Sequence, residues 1–175
     1  MGYAGGQSSS PTYHNMGDHT ETLQIEFNPE KISYDQIMEI FWAEHNPFAY
    51  PYSTQYRAVV FYHSPGQKEI AEEIRDEFAS SSNSRVHTPL EPFIYFYQAE
   101  DYHQKYYLQG HRLLSKELQN IYPDFQDFNR STAAARINGY LMGYGSTAEL
   151  ESDLPHLGLS SRGEKELITA FQRRN

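Results

Sequence analysis

The chain contains no cysteine, and this absence limits the folds open to it more than any other feature of the sequence. Without cysteine there are no disulfides and no thiolate metal ligands, so a fold held together by disulfides or by zinc–thiolate sites is excluded. A hydrophobic core must therefore hold the chain together. At 175 residues with 38% hydrophobic content, the chain is long enough to bury one such core. A thiol nucleophile is excluded as well.

The charge of the chain argues against two classes of partner. The formal net charge is -9 and the pI is about 5.3, so a phosphate backbone would be repelled and nucleic-acid binding is disfavoured. No apolar run is as long as a membrane span, and the first thirty residues lack the pattern of a secretory signal. We therefore expect a cytoplasmic protein without a membrane partner.

Three segments have the pattern of β-strands. Leu23, Ile25 and Phe27 alternate with polar residues, which predicts a half-buried strand over residues 23–27. Residues 57–63 are rich in β-branched and aromatic side chains, and residues 93–97 form a short aromatic run. Each of these two segments is also predicted to be a strand.

Helices are predicted between and after these strands. Ser33 and Gln36 form a capping-box pattern that predicts a helix over residues 34–44. Its expected buried stripe consists of Ile37, Ile40 and Phe41. Further helical patterns occur around Ile70, Ile74 and Phe78, over residues 101–108, and from Leu113 onward, where 133–141 and 164–171 are the stronger candidates. Strands that alternate with helices and then give way to helices predict an α+β fold.

Several motifs occur in an order that is typical of one enzyme family. Gly2–Gly6 reads Gly-Tyr-Ala-Gly-Gly, residues 11–13 read Pro-Thr-Tyr, residues 54–57 read Thr-Gln-Tyr-Arg, and residues 99–107 contain Glu-Asp-Tyr-His-Gln-Lys-Tyr. Together with Gly-Asp-His-Thr-Glu-Thr at 17–22, they resemble peptide methionine sulfoxide reductase A. The later run Asn-Gly-Tyr-Leu-Met-Gly-Tyr-Gly at 138–145 resembles the C-terminal extension of the animal branch.

The resemblance implies a fold and a domain organisation. Family members form a ferredoxin-like α/β sandwich whose first strand and first helix precede the Gly-Tyr-Ala-Gly-Gly turn. Because this chain begins at that turn, we expect it to lack both elements. We expect a truncated catalytic domain over residues 1–112 and a helical extension over 113–175 packed on it.

The resemblance also implies an activity. Members of the family repair the S epimer of oxidised methionine, in proteins or free, without a cofactor, and intact members are regenerated by thioredoxin. Their nucleophilic cysteine lies in a Gly-Cys-Phe-Trp-Gly segment that is absent here. We therefore predict that the chain as given is inactive, and a reading frame starting downstream of that segment accounts for this most simply. The alternative is a non-catalytic module that binds methionine sulfoxide peptides.

By residue matching, the resemblance assigns a catalytic acid to Glu21 and two phenols that hydrogen-bond the sulfoxide oxygen to Tyr13 and Tyr56. A buried glutamate could donate a proton near neutral pH because desolvation disfavours its charged form. His103 lies in the motif that supports the pocket and is predicted to contribute to substrate binding. From the residues alone, Glu21 also fits an exposed polar position and the tyrosines fit ordinary aromatic packing.

Two observations narrow the expected site further. The eight histidines show no ligand spacing such as His-x-x-x-His, so no metal site is predicted. Many family members carry an acidic residue shortly before Thr-Gln-Tyr-Arg, whereas this chain has Pro51, Tyr52 and Ser53 there, and Asn46 stands where aspartate is common. The pocket is therefore expected to be altered even where it is retained.

Overall fold

The computed structural model describes residues 1–82 and 84–174 and shows an α+β protein, as the sequence predicts. The chain forms two compact units, residues 1–99 and residues 100–175. The predicted domains, which meet at residue 112, stay a prediction because compactness alone does not show that either part folds independently.

The first unit contains two small sheets. Strand β1 (Gly2–Ala4) lies between β2 (Thr20–Thr22) and β5 (Phe96–Gln98) and is antiparallel to both. Strand β3 (Val60–Tyr62) pairs in parallel with β4 (Leu90–Pro92). In the first sheet, Tyr3 is buried and lies opposite Glu21 on β2.

Two helices accompany the sheets of this unit. Helix α1 (Tyr34–Ala43) begins with the predicted capping box of Ser33 and Gln36, and α2 (Pro65–Ser82) follows β3. The expected buried stripe of α1 is wrong in part, because Ile40 is 57% exposed while Met38 and Trp42 are buried. Ile37 and Phe41 are only partly buried against the cluster that these two residues form with Val60 and Ala71. The apolar face of α1 is thus rotated by about one residue from the expected one.

The predicted strand over residues 23–27 is also wrong. Strand β2 ends at Thr22, and the chain is irregular from Leu23 onward. Leu23 and Ile25 are 63% and 51% exposed, so the alternating apolar side chains cover no core. Alternation predicts a strand only where a neighbouring strand and a buried face are available, and the pairing of β1 with β2 stops at Gly2.

The regular secondary structure of the second unit is helical in all its described residues. It comprises α3 (Tyr106–Gly110), α4 (Arg112–Ile121), α5 (Phe125–Arg130), α6 (Thr132–Tyr140), α7 (Thr147–Asp153), α8 (Ser161–Gln172) and two short 3₁₀ turns, Asp101–His103 and Leu154–His156. Helices α6 and α8 confirm the helices expected over 133–141 and 164–171. The fully buried core includes Leu108, Leu114, Leu118, Phe128, Ile137 and Leu167. Within the described chain, no helix is both long enough and apolar enough to cross a membrane.

Candidate functional site

Asp18 and His19 form hydrogen bonds with residues 6–8 and so make a clamp that shapes the loop between β1 and β2. The Asp18 carboxylate accepts hydrogen bonds from the backbone N–H of Gln7 at 2.8 Å and from the N–H and hydroxyl of Ser8 at 3.1 and 2.7 Å. His19 is 1% exposed, and its Nδ1 accepts from the Gly6 N–H at 3.1 Å. Its Nε2 must therefore carry the proton that is donated to the Ser8 carbonyl at 2.8 Å. These contacts hold residues 6–8 against the entrance to β2.

The stabilisation that this clamp provides is expected to depend on pH. Its hydrogen bonds, that from the Gln7 N–H foremost, hold the pKa of Asp18 well below its usual range. Because the pKa of Asp18 is lower in the folded protein than in the unfolded chain, its ionised carboxylate stabilises the fold fully at any pH above the ordinary aspartate pKa of about 3.9. This stabilisation is lost as the pH falls below that value. Amide NMR signals of Gln7 and Ser8 should therefore move on acidification, and Asp18→Asn should abolish that dependence. Glu26→Gln, an exposed carboxyl in an irregular segment, should leave it intact. The same acid transition in the Asp18→Asn protein would contradict this reading.

Glu21 is fixed from two directions by the Thr-Gln-Tyr-Arg segment. The Glu21 backbone N–H donates to the Gln55 carbonyl at 3.0 Å. The Gln55 side-chain Nε2 donates in return to Glu21 Oε1 at 2.8 Å. Glu21 is half-buried, and only one of its carboxyl oxygens receives this bond. The other oxygen can therefore serve a ligand.

The two predicted phenols lie together beside this carboxyl. Tyr56 and Tyr13 share a side-chain hydrogen bond, and that bond is the main reason why the pKa of Tyr56 is raised. Desolvation and the nearby charge of Glu21 act in the same direction. Tyr13 is 37% and Tyr56 52% exposed, so both side chains are partly open to solvent. The structure thus brings Tyr13, Glu21 and Tyr56 into one accessible cluster.

Two residues of this cluster were missed by the sequence reasoning. Gln55, which holds the Glu21 carboxyl, lies within the Thr-Gln-Tyr-Arg motif and could have been considered from that position alone. Tyr52 stands in the stretch that lacks the usual acid, and its ring stacks on Tyr56 with centroids 6.2 Å apart and planes at 10°. In the segment where the usual acid is missing, Tyr52 therefore adds an aromatic side chain to the cluster.

Arg57 ties the segments that carry this cluster to the second sheet. Its guanidinium pairs in bidentate fashion with Glu91 on β4 at 2.5 and 2.8 Å. Arg57 Nε also donates to the Thr20 hydroxyl at 2.9 Å, and that hydroxyl donates to the Thr54 carbonyl at 2.9 Å. Thr20 precedes Glu21 and Thr54 precedes Gln55, so the network sets the spacing between these two residues.

Removing this guanidinium should cost stability. Arg57→Ala leaves the partly buried Glu91 carboxylate and the Thr20 hydroxyl without their donor, so the free energy of unfolding is expected to fall by about 1–3 kcal/mol. The matched control is Arg75→Ala on α2, where the guanidinium pairs with the exposed Asp76 and its loss should cost less than about 1 kcal/mol. Urea denaturation of the two variants compares them, and equal losses would show that the network has no special role.

The fourth predicted site residue belongs to the second unit. His103 ends the 3₁₀ turn Asp101–His103, where its ring packs against Tyr102 with centroids 4.2 Å apart. Its Nε2 lies 3.9 Å from a carboxyl oxygen of Glu100. In the ranges 1–82 and 84–174, no group of three or more His, Asp and Glu side chains is arranged to hold a metal ion. The cluster of Tyr13, Glu21 and Tyr56 is therefore the best-defined candidate site.

Comparison with known proteins agrees with the motifs that form this cluster. Residues 1–136 match the family model for peptide methionine sulfoxide reductase. A peptide methionine sulfoxide reductase of Drosophila melanogaster is 37% identical over 162 residues, which cover 91% of this chain and 65% of the relative. Peptide methionine sulfoxide reductase A5 of Arabidopsis thaliana is 33% identical over 145 residues, 79% of this chain and 56% of the relative.

A third relative gives the same result. Peptide methionine sulfoxide reductase MsrA of Saccharolobus solfataricus is 40% identical over 115 residues, 61% of this chain and 65% of the relative. The chain thus spans between 56 and 65% of the length of these three relatives. Since the family model covers more than three quarters of its residues, the chain belongs to the peptide methionine sulfoxide reductase family.

Proposed function

We propose that this chain carries the proton-donating side of a methionine sulfoxide site and that its 175 residues alone do not reduce the substrate. In the reaction of the family, a thiolate attacks at the sulfoxide, the S–O bond of the substrate breaks, and the oxygen passes with a proton to the thiol sulfur, so that the products are a sulfenic acid and methionine. A proton must reach the oxygen as that bond breaks. The chain offers proton donors for this step but no thiol.

One observation carries the proposal: the Tyr13–Tyr56 hydrogen bond lies beside the Glu21 carboxyl. A sulfoxide oxygen placed there would accept hydrogen bonds from the phenols and a proton from Glu21. Gln55 holds one carboxyl oxygen at 2.8 Å and so leaves the other for the ligand. Under this proposal the chain has the ferredoxin-like sandwich fold. A dithiol partner such as thioredoxin acts only with a chain that carries the cysteine.

A non-catalytic binding module is the second candidate function. What supports it is the ring of Tyr52, which stacks on Tyr56 at the edge of the cluster. Tyr52 is 87% exposed, and an aromatic face of this kind can contact the methyl group or a neighbouring side chain of an oxidised methionine. Hydrogen bonds combined with an apolar wall favour binding without any chemical step.

Titration with a methionine sulfoxide peptide distinguishes these ideas. The S epimer should shift the amide NMR signals of Gln55 and Tyr56, whereas the same peptide with unoxidised methionine should not, since it lacks the accepting oxygen. We expect a dissociation constant of roughly 1 mM, which corresponds to only about 4 kcal/mol of binding free energy. Tyr56→Phe should weaken the binding, while Tyr50→Phe, an exposed tyrosine whose ring contacts His87, should not.

Two outcomes of this titration are decisive. Micromolar affinity confined to the S epimer favours the binding module. Equal shifts with oxidised and unoxidised peptides contradict a sulfoxide site at this cluster.

A further inference from the structure

Helix α8 presents a basic face to solvent. Arg162 and Lys165 lie three residues apart on one side of α8, Arg173 is the residue that caps its C-terminal end, and Arg174 follows directly. The opposite side buries Gly163, Leu167 and Phe171. The four cations form no salt bridge with any residue in the described part of the chain. In a chain of net charge -9, this is a local concentration of unpaired positive charge.

Two adjoining grooves follow this face. The larger, about 540 Å³, is lined by Tyr102, Tyr106, Tyr107, His111, Arg173 and Arg174, among others. The smaller, about 340 Å³, is lined by Ser161, Arg162, Lys165, Glu166 and Thr169. Glu166 borders both grooves, so they meet at this residue, and its carboxyl lies 3.4 Å from His111 Nε2.

Tyrosine side chains line the larger groove. Tyr102 and Tyr106 are 53% and 66% exposed. Leu141 and Ala170 add apolar surface. Exposed tyrosines beside arginines are the residue types that dominate binding energy at protein interfaces. The surface therefore combines an apolar contact area with positive charge.

The dimensions of the surface favour an extended chain over a small ligand. The helix rise of about 1.5 Å per residue places Arg173 about 16 Å from Arg162 along the axis of α8. An extended polypeptide advances about 3.3 Å per residue, so about five residues span this length. A mononucleotide would occupy the larger groove alone and leave Arg162 and Lys165 unused.

We propose that this face of α8 binds a short acidic segment of another protein, with one aromatic side chain seated against Tyr102, Tyr106 and Tyr107. Carboxylates of the segment meet Arg162, Lys165, Arg173 and Arg174. Every residue that forms this contact lies in the second unit, whereas Tyr13, Glu21 and Tyr56 lie in the first.

Three blocked pentapeptides test the proposal on the full chain. They are Glu-Glu-Phe-Glu-Glu, Lys-Lys-Phe-Lys-Lys and Glu-Glu-Gly-Glu-Glu, and binding is followed by amide NMR shifts of α8 residues. The first should bind at least tenfold more tightly than either of the others, and its affinity should fall as salt is raised. Equal or tighter binding of the basic peptide, or shifts that map away from α8, would overturn the proposal. So would tighter binding of adenosine monophosphate than of the acidic peptide.

A matched pair of glycine substitutions locates the contact. Gly110 lines the larger groove and Gly139 on α6 does not, yet a Cβ at either position meets no atom within 4 Å. Gly110→Glu places a negative side chain in the groove and should raise the dissociation constant at least tenfold. Gly139→Glu makes the same change of net charge and should alter it less than twofold. Equal weakening by both variants, each checked for an unchanged circular dichroism spectrum, would show a general charge effect and refute the site.

Discussion

The 175-residue chain is expected to show no turnover of a methionine sulfoxide peptide with dithiothreitol as reductant. Reduction requires an atom that takes the oxygen from sulfur and can be regenerated, and a thiolate does this through a sulfenic acid. A serine or tyrosine hydroxyl cannot replace it, because the product would contain an oxygen–oxygen bond. The chain has no thiol at any position, so the cluster around Glu21 has protons to give but no acceptor for the oxygen.

The measurement is methionine formation, followed by chromatography, at enzyme concentrations that would reveal very slow turnover. The peptide methionine sulfoxide reductase of Drosophila melanogaster serves as the positive control under the same conditions. A rate above that of dithiothreitol alone, unchanged after a second purification that removes contaminating reductases, would contradict the argument.

The sequence motifs identified side chains that the fold brings together. The motifs that contain Tyr13, Glu21 and Tyr56 identified three side chains that lie together, because a recurring motif reflects a fixed spatial arrangement even when its segments are far apart in sequence. Their roles in the reaction stay a prediction. The stacking of Tyr52 on Tyr56 could not be predicted, since it occurs where the chain departs from the pattern of the family.

Local patterns failed where tertiary structure decides. Leu23 and Ile25 have the alternation of a strand but no paired strand beside them, and Ile40 has the spacing of a core residue but lies on the exposed side of α1.

Capping signals were more reliable because they depend on neighbouring residues only. Ser33 and Gln36 start α1 at the predicted position. A long-range ion pair such as that between Arg57 and Glu91 cannot be predicted from a single sequence.

Replacing Glu21 by Gln should have the largest effect of any substitution in the candidate site. The test requires a chimera in which the upstream Gly-Cys-Phe-Trp-Gly segment, with its strand and helix, is supplied from a related reductase. Gln keeps the size of the side chain and the bond to Gln55 but removes the transferable proton. General acid catalysis typically contributes a factor of about 10²–10⁴, so the rate should fall at least about a hundredfold. Tyr13→Phe and Tyr56→Phe should each cost less, because the two phenols share one developing charge.

Single-turnover reduction by this chimera is the most direct test of the claim that the chain supplies the proton-donating side of the site. One equivalent of the S sulfoxide peptide is mixed with the reduced protein, and methionine is quantified over time, so that regeneration by the dithiol does not enter the rate. The rate should be at least about a hundredfold lower for Glu21→Gln and unchanged for Glu26→Gln, which alters an exposed carboxyl outside the cluster. An unchanged single-turnover rate for Glu21→Gln would contradict the account and move the search for the proton source to Glu100 and Asp101.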